Sequence, residues 1–256
     1  MKEGHPDPTR RFTDRVEHYV RYRPTYPDGV IAVLRDAIGL DPRHVIADIG
    51  SGTGISAELF LRHGHTVVGV EPNDAMRAAS ERHLAAYERF RAVAGTAEDT
   101  TLDAASVDHV VAAQAFHWFD ACRAQVEFAR IRRAGGRVVL IWNTRRTGPE
   151  AFLRDYEALL QEHGTDYRDV QHTRLDGARL AAFLGDGYER RVLDYAQMLD
   201  LEGVKGRLIS SSYTPPPGDP RHEPMMRDAE RLFSRHQAGG LVQVAYDTEI
   251  LIGDRA

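Results

Sequence analysis

Val45-Ile46-Ala47-Asp48-Ile49-Gly50-Ser51-Gly52-Thr53-Gly54 is an apolar run that closes on an acid and then on three alternating glycines. Such a turn bends tightly without a Cβ clash and lets a ligand approach the main chain. Residues 55–63 follow with helical composition, so the first free N–H groups of that helix would face whatever the turn holds. Roughly twenty residues on, Thr66 to Val70 is a second apolar run ending in Glu71, an acid suited to accept hydrogen bonds from a ribose diol. Strand, glycine turn, helix, strand and acid in that order form half of a doubly wound sheet, and nucleotide binding is the first expectation. The plainer reading is that Asp48 and Glu71 only cap or solvate strand ends. Gly52-x-Gly54-x-x-Ala57 also fits the dinucleotide spacing, so the glycines alone do not separate a nicotinamide enzyme from other nucleotide binders.

A chain of 256 residues can bury the core of one large domain. The net charge of −5 and pI near 6.2 argue against a general nucleic-acid binder and favour a small-molecule partner. Of the 33 basic residues only Lys2 and Lys205 are lysines, and the arginines that make up the rest suit bidentate contacts to carboxylates. One cysteine, Cys122, allows no internal disulfide and no cysteine-based zinc site, and no metal is expected. With no apolar leader in Met1 to Arg15 and no apolar run of spanning length, the expectation is a cytoplasmic protein without membrane or nucleic-acid partners; its oligomeric state is not legible.

Alternation continues along the chain. Helical composition spans Asp74 to Tyr87 and Ala121 to Arg133; Phe90 to Gly95, Val107 to Ala113 and Gly136 to Asn143 read as further strands. Near-continuous apolar strands separated by helices imply a mostly parallel sheet covered on both faces. Beyond it, Pro149 to Glu162, Thr173 to Leu184, Leu201 to Ser210 and Glu223 to His236 read as helices, Arg190 to Gln197 as a strand and Val242 to Ile252 as the closing strand. Thr214 to Pro220 is a stiff proline loop. The expected organisation is one domain over 1–256, with an arm at 1–30 and cap segments at 144–187 and 198–240.

The whole order resembles the class I S-adenosylmethionine-dependent methyltransferases, whose first strand and turn carry the Asp-x-Gly-x-Gly-x-Gly pattern found from Asp48 to Gly54. Tyr19-x-x-x-Arg23-Pro24-x-Tyr26-Pro27, Ala113-Gln114-Ala115-Phe116-His117-Trp118-Phe119-Asp120 and Trp142-Asn143 look like the type 11 small-molecule group that includes trans-aconitate methyltransferases, with a weaker echo at Ser210 to Tyr213. The resemblance implies an α/β, doubly wound, Rossmann-like, mostly parallel seven-stranded sheet with an antiparallel last strand and a small helical cap. It implies S-adenosyl-L-methionine as cofactor. Asp48, Gly50, Ser51, Gly52 and Gly54 would hold its methionine part beside Gln114, Glu71 its ribose, and Pro72, Met76 and Ala97, with Glu98 or Asp99, its adenine. Tyr19 and Arg23 would close over it, the guanidinium meeting the cofactor carboxylate.

The reaction expected is in-line methyl transfer to a small molecule bearing a carboxylate, hydroxyl or amine. Bringing acceptor and methyl into line is the main catalytic contribution, with aromatic faces suiting the positive sulfur. A carboxylate is already ionised and needs no general base; for a protonated acceptor His117 is the candidate base. Tyr26, Trp118, Arg145 and Arg207 are the candidate substrate contacts, and a buried arginine would orient an acceptor carboxylate. Against these, Trp118 reads equally as a packing aromatic, and Arg145 with Arg146 as a solvated basic pair. Competing readings are a binding module without chemistry, a nicotinamide-dependent oxidoreductase and a base methyltransferase, the last disfavoured by Gln114-Ala115-Phe116-His117 where a flipped base would need another motif.

Overall fold

The computed structural model describes residues 21–165, 167 and 176–254. Seven strands form one sheet in the order β3-β2-β1-β4-β5-β7-β6, with β1 Val45–Ile49, β2 Thr66–Val70, β3 Phe90–Val93, β4 Val107–Ala113, β5 Arg132–Arg145, β6 Glu189–Leu199 and β7 Val242–Gly253. The first five pair in parallel; β7 runs antiparallel to both its neighbours, β5 and β6. This is the sheet expected from the sequence, including its antiparallel last strand.

Alternation along each central strand sends side chains to opposite faces. Ala47, Ile49, Val68, Val70, Val138 and Leu140 pack on one face against α4 (Ala121–Ile131) and α6 (Gly177–Leu184). Ile46, Val67, Val111, Val139 and Ile141 pack on the other against α1 (Gly29–Ile38) and α2 (Ile55–Arg62). Because both faces are covered, these strands read as unbroken apolar runs. α3 (Asp74–His83) starts at Asn73, whose side chain accepts from the Met76 N–H. Asp120 caps α4 in the same way.

A third core lies beside the β7 edge. Phe152, Tyr156 and Leu160 of α5 (Ala151–His163), Val204 and Leu208 of α7 (Leu201–Ile209), and Met225, Ala229 and Leu232 of α8 (His222–His236) bury themselves against Val242, Val244 and Tyr246. Each such side chain contributes about 1.5–3 kcal/mol on burial. Among the described residues no helix is long and apolar enough to cross a membrane.

Two elements differ from the sequence expectation. α1 falls where the arm was expected to end; Val30, Ile31 and Leu34 form its buried stripe, and Gly39 ends it in the left-handed region. β5 begins at Arg132, immediately after α4, because the polar Arg-Arg-Ala-Gly-Gly stretch joins the ladder through an irregular register against β4.

Candidate functional site

Parallel strands place the carboxyl ends of β1, β2 and β4 on one edge, and the strand order reverses between β1 and β4. This is the position where open α/β sheets form their ligand crevice. Gly50 and Ser51 leave β1 with their N–H groups on the Val70 carbonyl, at 2.9 and 3.2 Å. Gly50 has φ 68°, and a Cβ there would lie 2.7 Å from the Ala115 Cβ. Gly52 has φ 55° but faces open space, so there the missing side chain leaves room rather than avoiding a neighbour.

The turn borders a crevice open to solvent. Gly50 to Thr53 and Ile55 with Ser56 form one side, Ala113 and Gln114 another, and Arg23, Pro24 and Tyr26 the third. Among the described residues, three buried oxygens of this turn have no hydrogen-bond partner: Asp48 Oδ1, Ser51 Oγ and Thr53 Oγ1. Buried polar atoms are ordinarily satisfied, so such a concentration points to a polar ligand. Asp48 is fully buried and accepts from Ser56 Oγ at 2.6 Å; burial, opposed by that bond and reinforced by Glu71, pushes its carboxyl up to about 7.

Glu71, at the end of β2, receives the Gly52 N–H on one oxygen and the Asn73 N–H on the other, each at 2.9 Å. It thereby ties the glycine turn to the start of α3. Burial raises its pKa against those two bonds. Gln114 is held at φ 57°, a costly conformation for a non-glycine residue, by its own N–H on the Ile141 carbonyl and its Nε2 on the Asn143 carbonyl at 2.9 Å. Asn143 in turn donates from Nδ2 to the Thr25 carbonyl and accepts from Thr248 Oγ1, which fastens residues 23–26 over the ends of β5 and β7. Asn143→Ala strands both groups, and we expect it to cost about 2–4 kcal/mol, read as a lower urea midpoint at unchanged slope.

Of the other residues singled out from sequence, Met76 and Ala97 are buried and Pro72 is exposed beside Glu71. Glu98 accepts the Asp120 N–H at 2.8 Å. The His117 ring lies 4.5 Å from that of Trp118 and 5.5 Å from that of Trp142, on the short helical turn Phe116–Trp118 that follows Gln114. Trp118 is 41% exposed, which does not fit a core aromatic. Tyr19 lies outside the described residues.

Arg145 is not a solvated side chain. It pairs with Glu157, donates to Tyr167 Oη at 3.0 Å and stacks its guanidinium 5.0 Å over the Tyr156 ring. Only Arg146 fits the basic surface expected there, bound to Asp194 and Asp247. Arg207 is buried on α7, donating to Ser211 Oγ at 2.8 Å and Tyr246 Oη at 3.4 Å. Near it stands Tyr213: burial raises its phenol, but Arg207, then Arg23 and Arg145, outweigh that and hold it below its ordinary value. Tyr156, Tyr213 and Tyr246 were not singled out from sequence; Tyr213 ends the segment Ser210 to Tyr213, which was the available signal. Thr53 and Ser56, absent from the sequence-based site, belong to the crevice as the polar members of its glycine turn.

Residues 47–140 match the family of methyltransferase domains. The chain is 38% identical to an uncharacterised methyltransferase of Mycobacterium tuberculosis over 169 residues, which are 64% of each protein's length. It is 30% identical to an uncharacterised methyltransferase-like protein of Schizosaccharomyces pombe over 53% of this chain and 52% of that one. The chain therefore spans under two thirds of the length of these relatives. Among solved structures, one described as a type II methyltransferase from Anaeromyxobacter dehalogenans has a TM-score of 0.62 at 23% identity, over 91% of this chain and 97% of that one. Another, described as a methyltransferase from an antibiotic biosynthesis pathway of Anabaena variabilis, has 0.59 at 21%, over 88% and 96%. Both show the fold.

Proposed function

We propose that this chain, whose residues 47–140 match the methyltransferase domain family, is a class I methyltransferase that transfers the methyl group of S-adenosyl-L-methionine to a small-molecule acceptor. The observation that carries the reading is the crevice at the β1/β4 switch point, with its open Gly52 and its three unsatisfied buried oxygens. Those features fit a polar, partly cationic ligand laid along the main chain.

When bound, the cofactor supplies a methyl on a sulfonium, so that the acceptor's lone pair forms the new bond while the electrons of the broken carbon–sulfur bond stay on sulfur. The chain's own residues bind, orient and exclude water. The Gly50 to Gly54 turn offers N–H groups and Asp48, Ser51 and Thr53 offer oxygens to the methionine part. Glu71 retains acceptor capacity beyond its two backbone bonds and would take the ribose hydroxyls. Met76 and Ala97 would border the adenine, with Pro72 and Glu98 at its edge, and Gln114 would lie beside the methionine part. Arg23 faces the same crevice and would meet the cofactor carboxylate. Tyr26 would contact the acceptor from the same wall, while Trp118 and Trp142 with His117 present aromatic faces suited to positive charge. His117 would accept a proton when the acceptor is a hydroxyl or ammonium; a carboxylate requires none.

The test is incubation of the full chain with isotopically labelled S-adenosylmethionine and a panel of carboxylic acids, phenols and amines, followed by mass detection of methylated product. Label in a product of one class supports the reading. Binding of S-adenosylhomocysteine without label in any class reduces the chain to a binding module, and preferential binding of NADH overturns the cofactor assignment.

A further inference from the structure

We propose that Arg207 is the centre of an anion site for the methyl acceptor, so that the acceptor carries a carboxylate seated among Arg207, Arg145 and Tyr213; this rests on the methyl-transfer reading above. Arg207 is buried, yet among the described residues no carboxylate pairs with it. Its hydrogen-bond partners are two neutral hydroxyls, those of Ser211 and Tyr246. A guanidinium withdrawn from water without an acid is costly, and proteins that bury one ordinarily pair it.

The surroundings extend the same polarity. Among the described residues Arg145 meets one carboxylate, Glu157, through Nη2, and its buried Nη1 has no hydrogen-bond partner. Tyr213 experiences Arg207, Arg23 and Arg145 together. Phenols from Tyr156, Tyr213 and Tyr246 lie about Arg207, and those of Tyr156 and Tyr167 about Arg145. The cluster is built by distant segments: Tyr156 and Glu157 from α5, Arg207 from α7, and Tyr246 opposite Arg145 in the β5–β7 ladder.

It adjoins the cofactor crevice through Arg23. That residue lines the crevice, donates from Nη2 to the Ser210 carbonyl at 2.8 Å and helps to hold the Tyr213 phenol below its ordinary value. Tyr22, one residue earlier, lies over Gly206 of α7. A planar carboxylate matches this arrangement better than a neutral polar group. It completes the guanidinium fork of Arg207, gives Arg145 Nη1 an acceptor and takes the phenol O–H of Tyr213. Whether it is the methylated group or an anchor elsewhere on the acceptor, its charge would select substrates before transfer.

The probes are glutarate and benzoate, their amides glutaramide and benzamide, and inorganic phosphate, observed by saturation-transfer NMR on the full chain loaded with S-adenosylhomocysteine. We expect the acids to bind and the amides to bind at least tenfold more weakly. Arg207→Met should abolish acid binding while keeping S-adenosylhomocysteine affinity within twofold and melting no lower than the parent, since it removes an unpaired buried charge. Arg207→Lys keeps a cation without the fork and should weaken acid binding about tenfold; it decides the matter if the methionine variant does not fold. Acids that do not bind the loaded protein, amides or phosphate that bind as well as acids, or acid binding unchanged in either variant would each overturn the proposal. Failure of S-adenosylhomocysteine to load the parent chain strikes instead at the methyl-transfer reading.

Discussion

Glu71→Ala is expected to lower the affinity for S-adenosylhomocysteine by about a thousandfold, a loss of roughly 4 kcal/mol. The side chain has two tasks that an alanine ends together. It organises the turn by accepting the Gly52 and Asn73 N–H groups, each at 2.9 Å, and in the proposed reading its remaining acceptor capacity would go to the ribose hydroxyls. Bonds to a charged acceptor contribute about 1.5–3 kcal/mol each, and two of them account for the size of the effect. Glu71→Gln keeps the shape but turns an NH₂ toward one of the two backbone N–H donors, so it loses part of the affinity, about ten- to a hundredfold. Calorimetric titration of both variants, with a melting curve for each, separates loss of binding from loss of fold. An unchanged affinity in Glu71→Ala would remove the ribose assignment.

The second large effect is a dependence of stability on pH centred on Asp48. Its carboxyl sits near its ordinary value in the unfolded chain and is raised to about 7 in the folded one, chiefly by burial. Between those values the folded state holds the proton and the unfolded state does not, so stability contributed by Asp48 is full below pH 4 and is lost as pH rises toward and through 7. A displacement of this size corresponds to roughly 4 kcal/mol between pH 4 and pH 8. Glu71, also raised by burial, acts in the same direction, whereas Glu127, lowered to about 2 by Arg130, contributes stability that is lost only as pH falls below its unfolded value. Asp48→Asn keeps an acceptor for Ser56 and removes the titration. The difference in unfolding free energy between the variant and the parent should therefore grow in the variant's favour from pH 4 to pH 8. A difference independent of pH would show that Asp48 is ionised throughout.

The glycine turn, Glu71 and the order of strands were legible because each is local. The turn's backbone demands glycine, the strand ends in its own acid, and both-face burial writes itself as apolar runs. Element ends moved by a few residues where composition does not mark them, as at Ile131, where α4 passes directly into β5. The arginine and tyrosine cluster was not legible as a unit. Arg145, Arg207 and Tyr246 come together through strand register and helix packing across about a hundred residues of chain, and nothing local distinguishes a buried arginine from a solvated one. Arg145 shows this directly: beside Arg146 in sequence it reads as half of a surface pair, but alternation along β5 turns it toward Tyr156 and Glu157 while Arg146 meets Asp194 and Asp247. Thr53 and Ser56 were hidden for a different reason, since their polarity matters only once burial has removed water from the turn.

The measurement that bears most directly on the account is diffraction from crystals of the full chain soaked with S-adenosylhomocysteine. The account predicts density along Gly50 to Gly54, with an acceptor for the amino acid part among Asp48, Ser51 and Thr53 and the ribose hydroxyls on Glu71. Crystals that bind the compound elsewhere, or that leave the crevice beside Gln114 filled only with solvent at saturating concentration, would contradict it.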